Sequence, residues 1–194
     1  FARPRATVQP DVRVDQDSGH RSVHVGFAGR HDFVDGEGDF GGVEEAQELT
    51  GMRILAYSIM PNHWHLALHS RHDGDLATFM HRLSNAHTRK VHAMTNTNGS
   101  GHLYQGRYKS FLVDTDKHLL TLIKYAERNP VRAKLVPQCE NWQWGSAWRR
   151  IKGTKQQKKL LDSSPVPLPH AYGRWINTQE KPDDINLIRT SVRK

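Results

Sequence analysis

Apolar and polar positions along this chain fall into two regimes. Through residue 42 the pattern supports only two short strands, at 12–14 and 23–27, the second because Val23, Val25 and Phe27 alternate with His24 and Gly26. Gly36, Gly38, Gly41 and Gly42 interrupt an acidic stretch there, which argues against a helix. From Val43 the signal strengthens. Val43–Thr50 reads as a short helix with Gly51 just past its end, and Arg53–Met60 (RILAYSIM) as a mostly buried strand. Pro61-Asn62 then predicts a turn.

Strict alternation follows in His63–His69 (HWHLALH): His63, His65, Ala67 and His69 share one face of a strand, and Trp64, Leu66 and Leu68 the other. After Gly74-Asp75, the residues Leu76, Phe79, Met80, Leu83, His87 and Val91 form one continuous helical stripe, expected to pack on the apolar face of the sheet. Residues 95–101 are a loop by composition, and 104–113 an extended segment ending in a strand. A second helix is predicted at about 117–128, capped by Asp114 or Asp116, with Leu119, Leu122, Ile123 and Ala126 buried and Pro130 stopping it. Trp142, Trp144 and Trp148 are expected to fasten the following segment to the body. Pro165, Pro167, Pro169 and Pro182 favour an extended wrapping arm.

Charge sharpens this division. The 194 residues carry a formal net charge of +8, but residues 1–50 hold 5 basic and 10 acidic side chains while the remainder hold 23 basic and 10 acidic. A local surplus of that size attracts polyanions, nucleic acid first, although net charge alone equally serves solubility. Arg149, Arg150, Lys152, Lys155, Lys158 and Lys159 form the densest run, expected as a solvated helix face or a mobile arm. No stretch approaches the roughly 20 apolar residues of a membrane span, which excludes an integral helical membrane protein. One cysteine, Cys139, excludes an intrachain disulfide or a thiolate cluster, so a reducing, cytoplasmic setting is expected. An opening on Phe1 is what a piece of a longer chain would show.

His63 and His65 are the sharpest local feature. On a strand they project from one face with Cα atoms about 6–7 Å apart, close enough for two neutral imidazoles to converge on one divalent ion. With 13 histidines in the chain, a chance H-x-H pair is also expected. A structural zinc would want four ligands, whereas two histidines with an open shell suit an ion that polarises a phosphate. Asn129 offers a carbonyl oxygen, or Asn62 orients the site from the turn. His69 continues the face and reads as a solvated surface residue. Tyr125 is the candidate nucleophile, although a helical tyrosine is ordinarily a packing residue, and Asn129, four residues on, lies on the same side of the helix. Arg128 could sit beside Tyr125 and neutralise a phosphate.

Three spaced motifs, YSIMPNHWHL (57–66), GHLYQGRYKSF (101–111) and YAERNPVRA (125–133), together resemble the IS200-like transposases, and within them the REP-associated tyrosine transposase branch of the HUH enzymes. The resemblance runs from about residue 43 to 148, with residues 1–42 atypical, and divides the chain into a catalytic domain at 1–148 and a basic, Pro-rich extension at 149–194. It implies an α+β fold, a ferredoxin-like antiparallel sheet with helices packed on one face. It places the metal ligands at His63, His65 and Asn129, with Mg²⁺ or Mn²⁺ as the ion, and the catalytic tyrosine at Tyr125. The implied reaction cuts single-stranded DNA beside a hairpin, holds the 5′ phosphate on tyrosine, and rejoins strands through a second 3′ hydroxyl. Phosphate contacts are expected from Arg107, Lys109, Arg128, Arg132, Arg149 and Arg150. Insertion-sequence relatives form dimers that complete each site between subunits, so a homodimer is among the expected assemblies. Two other readings fit the same residues: a hairpin-DNA-binding protein without turnover, and a hydrolase using metal-activated water.

Overall fold

The computed structural model describes residues 22–28, 42–97, 103–104 and 108–193. The strand expected at 12–14, the glycine-rich acidic stretch at 29–41 and Arg107 lie outside the described residues. Four strands, β1 (Ser22–Ala28), β2 (Arg53–Met60), β3 (His63–His69) and β4 (Lys109–Val113), form one antiparallel sheet in the order β2-β3-β1-β4. Helices α1 (Val43–Thr50) and α2 (Asp75–Thr95) connect them, and α3 (Asp116–Glu127) follows β4. Beyond it come α4 (Asn129–Arg132), a 3₁₀ turn at Cys139–Asn141, α5 (Ser146–Lys152), α6 (Lys155–Lys158), α7 (Tyr172–Asn177) and α8 (Pro182–Arg193).

The sheet separates two apolar clusters. Ile54, Tyr57, Ile59, Trp64, Leu66 and Leu68 meet Val43 and Ala46 of α1 and Phe79, Met80 and Leu83 of α2, as the α2 stripe predicts. Gly42, at φ 107°, lets α1 approach α2 closely, since a Cβ there would lie 2.6 Å from Ala86 Cβ. The opposite face is also a core. Leu55, Ala56, Ala67, Phe111 and Val113 meet Leu119, Leu122 and Ile123 of α3 and Ile188 of α8. The expectation of helices on one face is therefore corrected: the fold is α+β with helices on both sides of the sheet. The small side chains of Ala56 and Ala67 make room for α3, and burying Leu122 and Ile123 contributes about 1.5–3 kcal/mol each. His69 lies within this packed structure and is fully buried, not solvated.

An open strand edge leaves backbone donors and acceptors unpaired. At β2 the C-terminal segment answers them. Ile59 N–H donates to Trp144 O at 3.0 Å, and Trp142 Nε1–H donates to Ile59 O at 2.8 Å. Tyr57 N–H donates to Ser146 Oγ at 2.9 Å, and Arg150 donates to Leu55 O. Asp162 takes the Ile54 N–H at 3.0 Å and returns its own N–H to Ile54 O at 2.9 Å. Trp142, through its indole, and Trp144, through its carbonyl, thus fasten this segment as expected. The proline-rich stretch at 162–171 carries no helix and lays Val166 and Leu168 against the core, as an extended arm would, but α7 and α8 follow it, with Pro182 opening α8 where its missing N–H goes unused.

Candidate active site

The two halves of the site come from a central strand and from the end of a helix. Helix α3 begins after Thr115, whose side chain accepts from His118 N at 3.2 Å; the cap is this hydroxyl and neither Asp114 nor Asp116. The helix packs across β2 and β3 with Ala67 opposite its first half. Its other end brings Tyr125 to His65, the ring centroids 5.6 Å apart and nearly perpendicular. Asn129, first residue of α4, reaches His63, its Nδ2–H donating to His63 Nε2 at 3.1 Å. Four residues of helix rise about 6 Å and two residues of strand rise about 6.6 Å. Those near-equal repeats set the pairs Tyr125/Asn129 and His65/His63 in register. Pro130 follows the end of α3 but also sits in the first turn of α4, so Asn129 lies between two helical segments.

His63 and His65 lie with ring centroids 4.9 Å apart, edge to face. Asn62 Oδ1, an acceptor only, stands 2.7 Å from His63 Nδ1. That contact puts the proton on Nδ1 and leaves the Nε2 lone pair facing Asn129. Burial holds the His63 pKa below its ordinary value, favouring the neutral ring that a metal requires. Among the described residues no group of three or more His, Cys, Asp or Glu side chains gathers around a possible ion. The available donors are two imidazoles and, if its amide turns over, the Asn129 carbonyl oxygen, a partial shell that fits a divalent cation with positions left for substrate oxygens.

Arg132 closes the site from outside. Its guanidinium carbon lies 4.0 Å from the centroid of the Tyr125 ring, a cation–π contact. Burial draws its pKa down while Glu180 opposes the shift. Sequence reasoning offers Arg128 and Arg132 to DNA phosphates, yet here both pair with Glu180 of the C-terminal segment, and Arg128 is only 6% exposed. Arg149 and Arg150 are likewise drawn inward, Arg149 to Gln157 O at 2.8 Å and to Glu44, Arg150 to Leu55 O and Glu127. The solvated run is thus corrected for those two residues, while Lys152, Lys155, Lys158 and Lys159 do face solvent. Lys109 is exposed at the start of β4. No spacing pattern points to Glu180, which is tied to its partners only through the tertiary fold.

Residues 42–129 match the model of the family described as transposase IS200 like. The match spans His63, His65 and Tyr125, ends on Asn129, and covers just under half of the chain. This segment is therefore similar to the IS200-like transposases. A solved REP-associated tyrosine transposase bound to a REP hairpin is 17% identical, with a TM-score of 0.60 over 84% of this chain and 96% of that one. That likeness is one of fold. A Deinococcus radiodurans crystal structure provisionally assigned as a transposase is also 17% identical, with a TM-score of 0.42 over 63% of this chain and 91% of its own. No curated protein matches the sequence. No helix among the described residues is long and apolar enough to cross a membrane.

Proposed function

We propose that this protein is a tyrosine transposase acting on single-stranded DNA beside a hairpin, with Tyr125 as nucleophile. One observation carries the reading: Tyr125 and Asn129 on the helix end meet His65 and His63 on the strand within a single chain. The strand order, with α1 and α2 on one face, supports a ferredoxin-like core carrying α3 as an addition. The hairpin named with the structurally similar REP-associated enzyme, and the basic balance after residue 50, support a hairpin DNA partner.

Bound by His63, His65 and Asn129, Mg²⁺ or Mn²⁺ would supply Lewis-acid polarisation of the scissile phosphate. Asn62 fixes the His63 tautomer that leaves Nε2 free to donate a lone pair. Tyr125, stiffened by its helix and by the Arg132 cation on its ring, attacks phosphorus through its phenolic oxygen after losing its proton to solvent. The new bond joins Tyr125 Oη to phosphorus, and the broken P–O3′ bond leaves its electron pair on the 3′ oxygen, which takes up a proton. Rejoining reverses this with another 3′ hydroxyl. No nucleotide cofactor enters the balance.

The test is incubation with hairpin-bearing single-stranded DNA and Mn²⁺, read on a denaturing gel for a protein–DNA adduct. Wild type should form the adduct, and Tyr125→Phe should abolish it while hairpin affinity stays within about twofold. An adduct persisting in Tyr125→Phe would refute the nucleophile. Cleavage without any adduct would indicate an activated water, and binding without cleavage a DNA-binding protein.

A further inference from the structure

Arg132 joins the site to a part of the chain that lies far away in sequence. One guanidinium nitrogen donates to the Tyr125 carbonyl at 2.6 Å and lies 3.3 Å from Asn129 Oδ1, while another donates to Glu180 Oε1. The second Glu180 oxygen accepts from Arg128 Nε at 2.5 Å, and Arg128 continues to the Ile176 carbonyl at 3.1 Å. Glu180 stands between α7 and α8, with its side chain only 4% exposed. A single buried carboxylate therefore balances two buried guanidinium groups, one of which lies on the Tyr125 ring.

We propose that Glu180 is a positioning residue for the site, acting through Arg132 on Tyr125. Reading Tyr125 as nucleophile is the basis for this assignment. A guanidinium held by a carboxylate has its planar fork fixed in one orientation. That orientation lays the cation on the phenol ring and aims a donor at the Asn129 amide oxygen. Without Glu180, two like charges would remain buried beside each other, and Arg132 would turn to the next available anion, including an incoming phosphate. Tyr125 would then lose a fixed neighbour on one side of its ring. The C-terminal segment is thereby part of the site without touching substrate.

Two variants and two readouts test this. In the full-length protein labelled with ¹³C-tyrosine, free of metal and DNA, five ring signals are expected, and Tyr125→Phe identifies that of Tyr125. Glu180→Gln and Arg132→Lys should each shift and broaden that signal. Both should lower the single-turnover rate of adduct formation at saturating hairpin DNA and Mn²⁺ about 100-fold, with hairpin affinity within about twofold. A Tyr125 signal and a rate that both stay at wild-type values would overturn the proposal. So would a Glu180→Gln protein that cleaves faster and binds DNA more tightly, which would make Glu180 an inhibitor of the arginines. Should Glu180→Gln lose its folded spectrum, Arg132→Lys, which keeps a cation for Glu180, carries the same decision. If wild type forms no adduct, the nucleophile reading fails, while the Tyr125 signal still decides whether Glu180 positions the ring.

Discussion

Histidines in this protein divide by what burial does to them. His63 is kept neutral by burial, with one nitrogen bonded to Asn62 and the other facing Asn129. His118 is also held below its ordinary pKa, first by burial and against the opposing charge of Asp114. Its ring stacks on Phe111 with centroids 5.8 Å apart, and its Nε2 is buried without a hydrogen-bond partner among the described residues. For such a group the folded state binds protons less readily than the unfolded chain, whose histidine titrates near 6.5. The associated stability is present above about pH 6.5 and is lost as pH falls through the lower, folded-state pKa. His118→Phe keeps an aromatic ring beside Phe111 and removes the titration. Urea unfolding at pH 7.5 and 5.5 should show a larger loss of stability on acidification in wild type than in His118→Phe. Equal losses would mean that His118 is not held neutral. At this scale the sequence shows the reactive side chains clearly, because the alternation in His63–His69 and the four-residue spacing of Tyr125 and Asn129 are local. It hides what neutralises charge: Arg128 and Arg149 read as solvated because their partners, Glu180 and the Gln157 carbonyl, are brought near only by the fold.

Between elements, the decisive contact is the edge of β2. Ser146, at the start of α5, accepts the Tyr57 N–H at 2.9 Å and lies within hydrogen-bond reach of both Glu127, at 2.5 Å, and Tyr57 O, at 3.1 Å. Glu127 is fully enclosed, bonded also by Tyr172 and Arg150, and burial pushes its pKa up. Ser146 therefore stitches strand edge, α3 and C-terminal segment at one point. Ser146→Ala leaves a buried N–H without its acceptor and Glu127 short of one donor. The expected cost is about 1–3 kcal/mol, seen as a lower urea midpoint with unchanged slope. A negligible change would show that water replaces the hydroxyl and that the edge is more open than it looks here. This clamp was not legible beforehand. Periodicity reports β2, β3, α2 and α3 because each buries a continuous stripe. The segment after 142 is held by side chains meeting backbone atoms, a relation with no period. Its prolines point to an extended arm, yet Pro182 sits where a helix begins and tolerates it.

For the whole molecule, the sheet's two faces set where chemistry is available. One face is filled by α1 and α2, and the other by α3 over Ala67. The packing gives way to half-buried polar side chains where β3 begins, at His63 and His65. The family resemblance implies helices on one face; α3 instead covers the histidine-bearing face as well and, by covering it, delivers Tyr125. The helix that delivers the tyrosine belongs to the same chain as the strand that carries the histidines, so one chain supplies both halves. This arrangement has a consequence that differs from that of a shared site. Tyr125→Phe lacks the proposed nucleophile and His65→Ala lacks one of the two imidazoles, and each should form no adduct alone. If every site is built within one chain, mixing the two proteins leaves every site defective, so no adduct should appear at any ratio or concentration. If sites are assembled across two chains, a mixed dimer would contain one site with both an intact tyrosine and intact histidines, and up to about half of the mixed dimers' sites would recover. Recovery that rises with protein concentration would therefore show that α3 is exchanged between partners, and that the pairing of Tyr125 with His65 described here is the resting arrangement and not the reacting one.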